Sequence, residues 1–170
     1  MTEQSDSDHA ATTPYCYKHP RPAVTADIVL FRRAGDEIQV LLIKRAHAPY
    51  KGKWALPGGF VDENEPLERA AARELKEETG VARVRLQQFG AFGDPGRDPR
   101  GHTVSIAFAG ISGADLKVRA GDDAAEADWH PATHPPSLAF DHKKILAAAL
   151  RHVFGESKHR KAGLPVRRKR

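Results

Sequence analysis

The sequence predicts an α/β protein in which a mixed β-sheet is covered by helices, and three observations carry that prediction. Two neighbouring runs rich in Val, Ile, Leu and Phe flank a turn signal. A stretch of strong helix formers follows them, and a second apolar stretch at helical spacing comes near the C-terminal end. Hairpins combined with two helices do not give the regular alternation of a parallel α/β protein.

The first two runs are residues 23–33 (AVTADIVLFRR) and 37–45 (EIQVLLIKR), joined at Gly35-Asp36, and they form a predicted hairpin. Residues 46–54 hold Pro49, Gly52 and several polar groups, so they read as a loop leading into a short strand that ends at Pro57-Gly58-Gly59. From Pro66 to Thr79 the composition turns to Leu, Ala, Arg, Glu and Lys. Pro66 suits a first helical turn and Gly80 suits the position just past the end, so a helix is expected between them. Strand character returns over 81–92 and 103–111, separated by the turn-rich Gly93-Asp94-Pro95-Gly96-Arg97-Asp98-Pro99-Arg100-Gly101. A further short strand is expected over 125–129. A closing helix over 141–154 places Ile145, Leu146, Ala149, Leu150 and Val153 on one face.

These elements fit one domain, expected over 21–155, with a polar flexible leader over 1–20 and a basic, disordered tail over 156–170. Hydrophobic residues at 40% against 29% charged exclude a wholly disordered chain. The beginning, MTEQSDSDHAATTP, has no apolar run for a signal peptide. Nowhere do about eighteen apolar residues run together as a membrane span requires, so a cytoplasmic protein with no membrane partner is expected. Cys16 is the single cysteine, which agrees with a reducing compartment. The formal charge of +5 suggests a nucleic-acid partner, but Lys158, Arg160, Lys161, Arg167, Arg168, Lys169 and Arg170 account for it; taking those seven from +5 leaves −2. Such a block reads first as a solvated tail and second as a contact for nucleic acid or an acidic partner, so nucleic acid is not the expected partner.

Within the first helix Glu74, Glu77 and Glu78 stand at i, i+3 and i+4, side by side on one face. Each like-charge pair costs an isolated helix about 0.2–0.5 kcal/mol, which a bound cation would offset. Hard oxygen ligands favour Mg²⁺ or Mn²⁺, and Mg²⁺ commonly completes its shell with substrate phosphate, so a phosphate-containing substrate follows. The competing reading is an exposed acidic face balanced by Arg69, Arg73 and Lys76.

The surroundings favour the metal. Gly58-Gly59 lets backbone approach a ligand, and Gly80 releases the chain after the last glutamate. Gly59, five residues, Glu65, seven residues, then Arg73-Glu74-Leu75-Lys76-Glu77-Glu78-Thr79-Gly80-Val81 resembles the Nudix box at every fixed position. The resemblance implies a Nudix-type α/β/α sandwich with a mixed β-sheet and hydrolysis of a substituted pyrophosphate. It implies Glu74, Glu77, Glu78 and the Gly59 carbonyl as metal ligands, Arg73 orienting a glutamate, and Glu65 and Gly80 supporting the box. Leu75 and Val81 are expected in the core. The proton acceptor lies in the box or on a later loop, where Glu126 is the candidate and Asp122 and Asp123 its rivals.

The box leaves the substrate open. Residues 89–105, with 17–25 (YKHPRPAVT), resemble the ADP-ribose pyrophosphatase branch. On that resemblance Arg97 and Arg100 would bind phosphate or ribose oxygens and His102 would sit near the diphosphate. Read without it, Asp-Pro-Gly and Asp-Pro-Arg are good turns that need no ligand. Three functions follow: hydrolysis of ADP-ribose to AMP and ribose 5-phosphate, pyrophosphohydrolysis of a nucleoside triphosphate or other nucleotide, and ADP-ribose sensing by a Nudix-like regulator. Against the third stand an intact box and the expectation of no DNA-binding domain after Phe154. A homodimer is a further expectation from the branch.

Overall fold

The computed structural model describes residues 17–121 and 124–155. In chain order these form β1 (Ala23–Ala34), β2 (Glu37–Arg45), β3 (Trp54–Ala55), β4 (Gly58–Phe60), α1 (Leu67–Thr79), β5 (Gln87–Phe92), β6 (Thr103–Ile111), β7 (Ala124–Pro131) and α2 (His142–Phe154). All seven strands join one sheet organised around β1, which is antiparallel to β2 and β4 and parallel to β6. β3 and β7 pair with β2, and β5 pairs with β6. The sheet is mixed, as the hairpin pattern predicts.

Strand periodicity divides β1 between two cores. Ile28 and Leu30 pack with Leu41, Phe108 and the α1 residues Ala70, Ala71 and Leu75. Val29 and Phe31 pack on the opposite face with Val40, Leu42 and the α2 residues Ile145, Leu146 and Ala149. Both faces of β1 are therefore buried, which explains its continuous apolar run and gives the α/β/α layering. Leu75 and Val81 are both core residues. Pro66 stands before α1 in extended backbone, and Gly80 follows it in the left-handed conformation, with φ 69° and its N–H donating to the Lys76 carbonyl.

Two strand expectations change. The predicted single strand before the box is two pieces, β3 on β2 and β4 on β1, because the chain crosses from one partner to the other at Leu56-Pro57. The predicted strand from 81 becomes regular only at Gln87: Val81 is pinned in the α1 core and Arg83 takes a positive φ of 61°. No helix among the described residues is long and apolar enough to cross a membrane. Cys16, Asp122, Asp123, the leader before residue 17 and the basic tail lie outside the described residues.

Because Leu75 is 2% exposed between α1 and β1, Leu75→Ala should lower unfolding free energy by about 2–5 kcal/mol in urea titrations. A loss below about 1 kcal/mol would show that α1 is not seated on this core.

Candidate active site

The packing of α1 against β4 builds the site. Glu78 is 9% exposed, and its Oε2 accepts the Gly58 N–H at 2.8 Å. Glu74, one turn earlier, lies over Gly59 so closely that a Cβ there would stand 2.5 Å from Glu74 Oε1. A Cβ at Gly59 would push the Glu74 carboxylate aside, and one at Gly58 would stand 2.2 Å from the Ala26 carbonyl oxygen, so Gly58 is the position that admits no side chain. Glu74, Glu78, Gly58, Gly59, Asp62, Arg45 and Arg100 line one open cleft of about 390 Å³. Burial pushes the Glu78 carboxyl up to about 8, against the Gly58 hydrogen bond and with Glu74 adding to the rise. Burial also raises Glu74, against its bond to Arg73.

Arg73 ties the acidic face together. Its Nη1 donates to Glu74 Oε1 at 2.7 Å and to Glu77 Oε2 at 3.1 Å. Its Nε and Nη2 grip Glu65 at 2.9 and 2.8 Å, and Nη2 also reaches the Phe60 carbonyl. Glu65 in turn accepts the Asp62 N–H, and its hydrogen bond with Arg73 holds its carboxyl down to about 2. Glu77 is joined to Glu74 through Arg73 but is 56% exposed and does not line the cleft.

Three expected residues lie elsewhere. Arg97 does not offer its guanidinium to a ligand: its side chain is 4% exposed, with Nη2 at 2.6 Å from Asp141 Oδ1 and 3.4 Å from Asp27 Oδ2. Glu126 pairs with Lys44 at 2.9 Å. These two are cross-strand neighbours, so they share a sheet face, while Arg45, the next residue along β2, borders the cleft. This places Glu126 away from Glu74 and Glu78. His102 is exposed, its carbonyl accepts the Ala23 N–H, and its side chain lines no part of the cleft. Arg100 does border the cleft, held by Asp98 at 2.7 Å with its guanidinium 4.8 Å from the Phe60 ring centre.

Asp27 is the group that sequence reasoning missed. It is 5% exposed, accepts the Ser105 hydroxyl and Arg97, and lies 3.7 Å from His142 Nε2. His142, whose Nδ1 accepts the Leu56 N–H at 2.9 Å, is held below its usual pKa by burial, against the pull of Asp27. The only sequence signal was a lone acid within an apolar strand, which marks a buried and partnered charge.

The donor set fits a hard divalent cation. Two carboxylates and glycine backbone converge where a Cβ is excluded, and all the donors are oxygen. Among the described residues no three acidic, His or Cys side chains converge enough to enclose a metal alone.

Comparison with known proteins agrees with this geometry. A family model described as NUDIX domain matches residues 21–149. The chain is 45% identical over 140 residues to the ADP-ribose pyrophosphatase of Methanocaldococcus jannaschii, covering 82% of this chain and 78% of that protein. It is 32% identical to the ADPR responsive transcriptional repressor NtrR of Acinetobacter baylyi, covering 87% of this chain but only 60% of the repressor. The NUDIX domain of Shewanella oneidensis NrtR, solved in complex with ADP ribose, superposes with a TM-score of 0.73 at 31% identity, over 82% of this chain and 94% of that domain.

The two neighbouring arginines should separate on substitution. Arg97→Ala removes a guanidinium that is 4% exposed from both Asp27 and Asp141 and should cost about 3–5 kcal/mol in urea unfolding, whereas Arg100→Ala removes a guanidinium that is 41% exposed and leaves buried Asp98 its bond from the Arg100 N–H, so it should cost less, about 1–3 kcal/mol. Equal losses would contradict the burial difference.

Proposed function

The chain belongs to the Nudix family and is a pyrophosphohydrolase of that family; from that premise we propose that its substrate is ADP-ribose, split to AMP and ribose 5-phosphate in the cytoplasm with Mg²⁺ or Mn²⁺. The observation that carries the substrate is the 45% identity to a protein named ADP-ribose pyrophosphatase, spread over most of both chains. The carboxylate cleft supports the reaction type.

In this reading Glu74, Glu78 and the Gly59 carbonyl hold the cation, with Glu77 at the rim beside Arg73. A divalent cation bound there supplies positive charge to diphosphate oxygens and lowers the pKa of a bound water. Arg73 holds the Glu74 carboxylate through Oε1, Glu74 lines the cleft, and we assign the proton acceptor to this α1 face in place of Glu126. Glu65 keeps Arg73 in place from the other side. Arg100 offers a cation at the cleft wall and Phe60 an exposed aromatic face, both suited to a nucleotide. The similarity to the repressor leaves ADP-ribose sensing as a second reading, which lack of turnover with retained binding would favour.

Wild-type kcat/KM should be highest for ADP-ribose among ADP-ribose, NADH, diadenosine polyphosphates, sugar nucleotides and nucleoside triphosphates, with AMP released and no inorganic pyrophosphate. Preference for a triphosphate with pyrophosphate release would replace this reading. Chelation should abolish turnover. Glu78→Gln keeps an acceptor for Gly58 but removes the ionisable carboxyl that would hold the cation, so it should lose about 100-fold or more in kcat while remaining folded by circular dichroism.

A further inference from the structure

The chain crosses from β3 to β4 at Leu56-Pro57, and the N–H groups on either side of that proline are both taken by side chains. The Leu56 N–H, which belongs to neither strand, donates to His142 Nδ1 at 2.9 Å, and the Gly58 N–H donates to Glu78 Oε2 at 2.8 Å. His142 is the first residue of α2 and Glu78 belongs to α1, so the crossing is held from both helix layers. Pro57 has no N–H, its ring fixes φ, and its carbonyl accepts the Ile28 N–H at 2.8 Å. A displacement at Leu56 therefore passes to Gly58 with little slack.

His142 is itself firmly placed. It is 4% exposed, and with Asp27, Arg45, Gly58 and Gly59 it lines a narrow recess of about 60 Å³ beside the carboxylate cleft. A ring that accepts at Nδ1 is neutral and carries its proton on Nε2, which faces Asp27 Oδ1 at 3.7 Å, and burial favours that neutral form. Just before it, the Ala139 N–H donates to the Trp54 carbonyl at 2.8 Å and Asp141 pairs with Arg97. The acceptor thus sits on a frame tied to β1, β3 and the 93–101 loop, separate from α1. A bond to a buried N–H would stabilise the crossing wherever it lay. This one lies two residues before Gly58 and three before Gly59, the backbone against which Glu78 and Glu74 are packed.

We propose that His142 is a positioning residue for the cation site: by accepting the Leu56 N–H it sets the crossing so that the Gly58 N–H orients Glu78 and the Gly59 backbone stays under Glu74. The inference rests on the reading of Glu74, Glu78 and Gly59 as the cation's ligands. His142 acts through the backbone and supplies no ligand of its own.

The test measures Mn²⁺ affinity of the full chain without substrate, by electron paramagnetic resonance of the free ion, in wild type, Glu78→Gln, His142→Leu, His142→Asn and Ile145→Val. Glu78→Gln should weaken Mn²⁺ binding by about 10-fold or more; if it does not, the cation reading fails and the proposal with it. His142→Leu removes the acceptor and should weaken binding by about 10-fold. His142→Asn places Oδ1 at the Nδ1 position and should restore affinity to within about 3-fold of wild type. Ile145→Val loosens the α2 core without touching the crossing and should leave affinity unchanged. The Mg²⁺ concentration for half-maximal turnover should follow the same order. Wild-type affinity in folded His142→Leu, alongside a weakened Glu78→Gln, overturns the proposal and leaves the cation reading intact. An Asn variant as weak as Leu overturns it too, as does an equal loss in Ile145→Val, which would report general loosening of the helix. Should His142→Leu fail to fold, His142→Phe, which keeps a ring but not the acceptor, is read in the same way. Failure of both to fold means that the ring serves the fold, and the proposal is overturned.

Discussion

Glu74 and Glu78 stand one helical turn apart on α1, and both press their carboxylates against the backbone of Gly58 and Gly59. This contact constrains most of what surrounds it. The strand carries glycine where the carboxylates arrive, and it must be held in register, which β4 achieves by pairing Gly58 with Asp27 and Gly59 with Ala26 on β1. The helix must present two acids on one face at a site where burial disfavours their charge. Such an arrangement conflicts with stability alone, and conflicts of that kind are expected where a site serves a ligand.

Two cationic devices hold the arrangement from opposite sides. Outside, Arg73 spreads its guanidinium over Glu65, Glu74, Glu77 and the Phe60 carbonyl, so the loop before α1 and the acidic face are fixed together. Inside, Asp27 collects Arg97 and Ser105 and faces His142, joining β1 to β6, to the 93–101 loop and to the start of α2. The first device is partly exposed and the second is buried. Loss of a partner should therefore be felt mainly as altered geometry at Arg73 and mainly as instability at Asp27.

The sequence disclosed those parts of the molecule that depend on local pattern. The limits of β1, β2, α1, β6 and α2 follow from periodicity, turn residues and the Pro66 and Gly80 boundaries, and they agree with the structure to within about a turn. Glu74 and Glu78 could be paired from the sequence because i, i+4 spacing fixes a shared helical face, whereas Glu77, expected beside them at i+3, is exposed and does not line the cleft. Glu126 was not, since its side of β7 depends on pairing with β2: Lys44 opposite it takes its charge, and only the neighbouring Arg45 turns to the cleft. His102 likewise stands immediately before β6, with its carbonyl accepting the Ala23 N–H. Asp27 and His142 went unnoticed because each belongs to an apolar element, and their meeting is a contact between residues far apart in sequence.

The 93–101 loop shows why residue type and position do not together determine a role. Arg97 and Arg100 lie three residues apart in one turn-rich segment, and each has an acidic partner. Arg97 meets Asp27 and Asp141, which belong to β1 and the start of α2, so its pairing draws the loop inward and removes the guanidinium from water. Arg100 meets Asp98 of its own loop, so its pairing ties the loop to itself and leaves the guanidinium against Phe60 at the cleft wall. The partner's place in the fold, not the arginine, assigns one residue to the frame and the other to the surface a substrate can meet. Arg45 extends the same logic. It comes from a core strand, and its Nε is spent on the Pro49 carbonyl, so a loop carbonyl rather than an acid fixes the guanidinium that borders both the carboxylate cleft and the recess.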